Sequence, residues 1–398
     1  MSHQTNIPKL WNRTAHEMWL SGEQHNAIQT AVAALNQQGP PKPRDLILQL
    51  AYYLFSVGDF RALATILEVG LNSHPDDLEI LQNLAVAWGR LKNYDKTIQY
   101  ARQTIDRNSD NYLAWDCLAS AYYNIRQYRE AAEAGTSSLI HKDKQHGYID
   151  PNWTLPNSSP QAYAEGKVRA IAFSLWGDRR RYIYGALRNI LLAPDIYPGW
   201  ELWFYVDSSV PLAFRNLLAE LGGKVLLQPD GQSLRQKLCW RFKVAAADTV
   251  GYFLVRDIDS VISVREYLAV QEWLVSERWF HIIRDWWTHT DLILAGLWGG
   301  VAGVLPNFEQ MLASYVCKEV ETPNIDQWFL RDRVWKYVKV SCFIHDRCFK
   351  QAGSHPLPGP NPGQAFHVGR CEYSVRPDFQ QTIVAPWIEK AGLEAELS

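Results

Sequence analysis

A chain of 398 residues is too long for one ordinary hydrophobic core, so two domains are the natural expectation. Hydrophobic residues make up 47% and charged residues 21%, which excludes extended disorder. With 40 Lys plus Arg against 42 Asp plus Glu, a general electrostatic attraction to nucleic acid or to an anionic membrane is excluded as well. The first eight residues carry neither a basic nor an apolar leader segment, and nowhere do about 18 apolar residues run together. A soluble, cytoplasmic protein is expected. Six cysteines without a Cys-x-x-Cys pair suit reduced thiols, and Cys342, His345 and Cys348 lack the paired-ligand spacing of structural zinc.

Residues 1–146 are repetitive. Three segments, 44–77, 78–111 and 112–145, superimpose at a period of 34 residues. Ala51, Ala85 and Ala119 share one position, Leu54, Trp88 and Tyr122 a second, Phe60, Tyr94 and Tyr128 a third, and Leu71, Ile105 and Leu139 a fourth. The small residue lets two helices approach, and the aromatic near the middle fills the wedge between them. A weaker copy spans 8–41, with Trp11, Ala15, Met18, Ala27 and Ala34 in matching places. Thr97 stands where the second full repeat would carry a small helix residue. The pattern resembles the tetratricopeptide repeat. That resemblance implies an α-solenoid of stacked helix pairs whose concave face docks a protein or peptide partner.

Residues 147–166 hold Pro151, Pro156 and Pro160 among Asn and Ser, which marks a linker, so the second domain is expected over 167–398. There strands at 168–174, 201–207, 224–228 and 252–255 alternate with helices at 180–192, 211–221 and 233–247. Such alternation predicts an α/β fold with a mostly parallel sheet. The last of these strands runs into Asp257-Ile258-Asp259 at the sheet's carboxyl edge, where open α/β sheets bind ligands. Two neighbouring carboxylates there suit a hard cation, Mn2+ or Mg2+, able to neutralise a departing diphosphate.

An alternating sheet ending in Asp-x-Asp resembles the nucleotide-binding half of the GT-A glycosyltransferases. The order of later motifs, Asp285, Ala295-Gly296, Asp326-Gln327 and His367-Val368-Gly369, is similar to that of the retaining members. The resemblance implies metal ligation by Asp257, Asp259 and His367, and catalytic roles at the sugar for Asp326, Gln327 and Asp285. It also implies a sugar-contacting Arg241, and a nucleoside diphosphate sugar as donor, with UDP the expected nucleotide. Two departures stand out. Leu294 replaces the usual Asn before Ala-Gly, and the Lys that binds diphosphate in that family has no counterpart, Arg256 or Arg370 being the available substitutes. The donor nucleotide is expected beyond the first strand, against Ser174, Leu175, Trp176 and Tyr182, with Asp207, Arg256 and Ile258 completing its surroundings. Trp286, His289 and Trp298 are the candidate acceptor-binding residues, in a segment from 281 expected to be a loop. The Pro- and Gly-rich stretch 353–363 is expected to cover the site. The alternative is an adaptor that keeps both folds and has lost the chemistry. A nucleotidyltransferase is disfavoured, because Gly177 stands alone where a Gly-rich phosphate loop would be needed.

Overall fold

The structure is a computed structural model and describes residues 10–317, 324–349, 351–393 and 397. Those up to Lys142 belong to one compact unit and those from Asp143 onward to another.

The first unit is built from helix pairs: α1 (Arg13–Leu20) with α2 (Gln24–Asn36), α3 (Arg44–Val57) with α4 (Phe60–Ser73), α5 (Leu78–Arg90) with α6 (Tyr94–Arg107), and α7 (Tyr112–Asn124) with α8 (Tyr128–His146). The three full pairs start 34 residues apart at both helices, as the period predicts. A second periodic signal sets those starts. Asp77 and Asn111 cap α5 and α7, Asp59 and Asn93 cap α4 and α6, and each side chain accepts a backbone amide of the first turn. Ala51, Ala85 and Ala119 are buried where the helices touch. Thr97 is buried too, its hydroxyl donating to the Asn93 carbonyl at 2.9 Å, and the extra bulk is met by Gly89 on the neighbouring helix. Tetratricopeptide-type repeats therefore form the amino-terminal unit.

In the second unit the short α9 (Pro160–Ala164) precedes β1 (Val168–Leu175), α10 (Arg180–Ile196), β2 (Trp200–Val206), α11 (Leu212–Glu220) and β3 (Lys224–Leu227). Then come α12 (Leu234–Cys239), a 3-10 helix (Trp240–Ala246), β4 (Val250–Arg256), α13 (Val264–Leu274), β5 (Phe280–Arg284) and β6 (Leu297–Val301). After α14 (Phe308–Ala313) and α15 (Ile325–Phe329), β7 (Cys342–Asp346) and β8 (Ser354–His355) complete an eight-stranded sheet of order β3-β2-β1-β4-β6-β5-β7-β8. The sheet is mostly parallel, with β6 antiparallel to both β4 and β5. That reversal matters for the site, because the residues just before β6 arrive at the same edge as the carboxyl ends of β4 and β5. Among the described residues no helix is long and apolar enough to cross a membrane.

Two expectations about elements change. The helix predicted over 233–247 tightens to 3-10 from Trp240, where the Arg241 amide leaves the α pattern and donates to Ser174 Oγ at 3.0 Å. Residues 281–284 are not loop but the fully buried β5, paired on both sides, and the loop begins only at Asp285.

Candidate active site

The Asp257-Ile258-Asp259 turn is held from below by α10. Asn189, fully buried, donates to the carbonyls of Ile258 (3.2 Å) and Ser260 (3.0 Å) and accepts the Ile262 amide at 2.9 Å. One helical turn earlier, Gly185 leaves room for the same backbone, since a Cβ there would overlap the Ile258 carbonyl. On the other side Gly296, entering β6, would overlap the Asp257 carboxylate if it carried a Cβ. The acidic turn is thus wedged between two close approaches, Gly185 on Ile258 and Asp259 and Gly296 on Asp257.

A cleft of about 300 Å³ opens at this edge. It is lined by Leu238, Arg241, Asp257, His289, Leu294, Ala295, Gly296, Leu297, Asn324, Asp326, Gln327 and Gly369. Arg241 is its centre. The buried guanidinium pairs Nη1 with Asp257, donates to the Arg256 carbonyl at 3.1 Å, and places Nη2 3.0 Å from Asp326 Oδ2. Burial pushes the Asp326 carboxyl up from its ordinary range, and Arg241 and the Gln327 amide oppose that rise. One guanidinium therefore holds two carboxylates of the cleft in register. Five residues expected from the sequence meet here: Arg241, Asp257, His289, Asp326 and Gln327. Ala295, Gly296 and Gly369, from the later motifs, line it too, whereas Asn324 is an addition whose only sequence signal is proximity to Asp326.

Other candidates lie elsewhere. Asp259 turns to Arg181 of α10, whose Nε donates at 2.6 Å. His367 stacks on Trp286 with centroids 4.5 Å apart, meets His289 edge-on, and turns Nδ1 to the Val368 carbonyl. Among the described residues no three His, Cys, Asp or Glu side chains form a group that could hold a metal ion. Asp285 is fully buried away from the cleft. Its Oδ2 accepts the Val368 amide at 2.8 Å, and Arg347 Nε lies 2.7 Å from Oδ1 as an ion pair without an aligned hydrogen bond. Desolvation raises its pKa, against the Val368 amide and the arginines.

Arg256 is not a cleft residue, because strand alternation sends it to the opposite face from Asp257. There it donates to Glu266 Oε1 at 2.9 Å and to the carbonyls of Val255 and Trp298. Trp298 is core, fully buried against Phe242 and Phe253 on the central β6. Ser174, Leu175 and Ile258 are buried, Ser174 being the backbone partner of Arg241. Asp207 is buried beside Lys237 at 2.6 Å; desolvation raises its pKa, but Lys237 and Ser209 hold it below the ordinary range. Trp176 meets Trp240 edge-on, and Tyr182 and Trp286 are half-buried outside the cleft lining, Tyr182 under the Arg181 guanidinium. Arg370 is paired with Glu372 at 2.7 Å. The 353–363 stretch is strapped down: Arg265 donates to the carbonyls of Pro358 and Pro360, and Arg347 to Asn361 Oδ1 and the Gly363 carbonyl.

No family model matches the chain, and no curated protein does. Similar solved structures include a mutant form of the Thermobaculum terrenum O-GlcNAc transferase, at 17% identity and a TM-score of 0.38 over 61% of this chain and 44% of that one. A MamA RS-1 double mutant matches at 14% identity and 0.31, over 34% of this chain and 76% of the other. YrrB, a TPR protein with an unusual peptide-binding site, matches at 12% and 0.30, over 32% and 64%. The chain thus spans under half the length of the transferase.

Proposed function

We propose that the second unit is a GT-A-type glycosyltransferase that moves a sugar from a nucleoside diphosphate, expected to be UDP, to an acceptor recruited by the tetratricopeptide-type repeats. The observation carrying this reading is the convergence of Asp257, Arg241, Asp326, Gln327 and His289, from separate segments of the chain, in one cleft at the carboxyl edge of the sheet. In this role Asp326 accepts hydrogen bonds from sugar hydroxyls, its position fixed by Arg241. Gln327 presents a neutral amide to the positive charge that develops at the anomeric carbon and does not quench it. Retention of configuration is the expected outcome, read by proton NMR of the first-formed product.

A cofactor cation, Mn2+ or Mg2+, fits the donor chemistry of Asp257 and Asp259, which are hard oxygen ligands at the strand end. Each now carries an arginine that a cation would displace, and the His367 ring, engaged by Trp286, does not complete the set. When bound, such an ion would supply positive charge for the leaving diphosphate. The test is hydrolysis and transfer with a panel of UDP- and GDP-sugars, with and without Mn2+. Asp326→Ala should lose at least about a hundredfold in turnover, and unchanged turnover would refute the assignment.

A second reading is an adaptor without chemistry. It is favoured by the arginine beside each of these acids, Arg241 shared by Asp257 and Asp326, Arg181 on Asp259 and Arg347 on Asp285, which leaves none of them an unpaired carboxylate. Calorimetry in which the full chain takes up no nucleotide, while a protein partner binds residues 1–146, would decide for it.

A further inference from the structure

After β5 the chain makes a tight turn, with the His289 amide donating to the Trp286 carbonyl at 3.0 Å. That turn brings the His289 ring back over its own start, where Nδ1 lies 3.0 Å from the backbone nitrogen of Asp285. A backbone N–H can only donate, so Nδ1 must be the bare acceptor nitrogen and the ring proton must sit on Nε2. The amide belongs to a residue that cannot drift. Asp285 is fully buried, its carboxylate tied to the Val368 amide and Arg347, and its carbonyl accepts Arg347 Nη2 at 2.7 Å. The half-buried imidazole lines the cleft, and among the described residues no group accepts from its Nε2.

We propose that His289 is a fixed hydrogen-bond donor of the cleft, presenting Nε2–H to a hydroxyl or ring oxygen of the bound sugar, with Asp285 as its positioning residue. The ligand half of this statement rests on the sugar-binding reading above. The tautomer half does not.

The experiment uses the full chain with 15N-histidine labelling. Long-range proton–nitrogen correlation spectra are recorded at mildly alkaline pH, and His289→Gln identifies the resonance by its disappearance. A ring protonated on Nε2 and bare on Nδ1 is expected, and an Nδ1-protonated ring overturns the proposal without touching the assignment of the cleft. Hydrolysis of UDP-glucose, UDP-galactose and UDP-N-acetylglucosamine then tests the ligand. His289→Ala should raise KM or lower kcat/KM about tenfold, while His289→Gln, which carries a donor amide, recovers most of the loss. Unchanged kinetics in His289→Ala overturns the donor role alone. Failure of the wild-type chain to turn over these three sugars and the rest of the UDP- and GDP-sugar panel, with and without Mn2+, overturns the sugar-binding reading and the ligand half with it.

Discussion

Arg241 carries the charge balance of the cleft. It is buried between two carboxylates, and among the described residues its Nε has no hydrogen-bond partner. Removing it strands Asp326 in a desolvated position, and breaking a buried pair of this kind costs about 3–5 kcal/mol. Arg241→Met should therefore lower the melting temperature markedly. Adding Asp326→Asn should recover part of the loss, because the stranded charge goes with it, and a double variant no more stable than the single one would contradict the pairing. Asp346 offers a pH-resolved test. Burial, opposed by Arg284 and the amides of Phe349 and Cys348, pushes its carboxyl from 3.8 up to about 6. A raised carboxyl pKa means that the folded chain holds the proton more tightly than the unfolded one. Its stabilising contribution is thus present below about pH 4 and lost as pH rises through about 6. The melting temperature of Asp346→Asn relative to wild type should climb between those values and be flat outside them. A constant difference would show that the carboxyl does not titrate there.

At the scale of elements, the acidic turn is set by a helix that precedes it by about 70 residues in sequence. Gly185 and Asn189 lie one turn apart on α10 and present, respectively, an empty volume and a three-bond amide to residues 258–262. Gly185→Ala gains helix propensity yet drives a methyl group into a carbonyl that has nowhere to move. A net destabilisation of about 1–3 kcal/mol is expected, as for other overpacked contacts. Weaker nucleotide-sugar turnover should accompany it. Stabilisation by the alanine would mean that helix and turn are less closely apposed. In the amino-terminal unit the caps are the comparable devices: Asn111→Ala removes the side-chain acceptor for the Ala114 amide at 2.9 Å and should cost about 1 kcal/mol by thermal melting.

For the whole molecule, the division between the two units falls inside α8, after Lys142. The last residues of that helix serve the second unit. Asp143 accepts from Trp335 Nε1 at 2.7 Å and Lys339 Nζ at 2.6 Å, and His146 pairs with Asp332 at 3.1 Å. A fragment beginning at residue 128 should consequently melt at a higher temperature than one beginning at 147, the boundary that composition alone suggests. Equal stabilities would show that these contacts contribute nothing. The period of 34, the alternation of strands and helices, and the acidic strand end were all legible in the linear chain. Each is a short-range pattern that local geometry enforces whatever surrounds it. Tertiary structure alone decided which candidates share a cleft. Asp257 and Arg256 are neighbours in sequence but face opposite sides of a strand, and Trp298 lies on a strand whose antiparallel entry buries it. Asp285 and His367, expected at the chemistry, are held by Arg347 and Trp286 from distant segments. Burial and charge pairing depend on what other parts of the chain bring to a position, and that information is distributed over the whole sequence rather than written beside the residue.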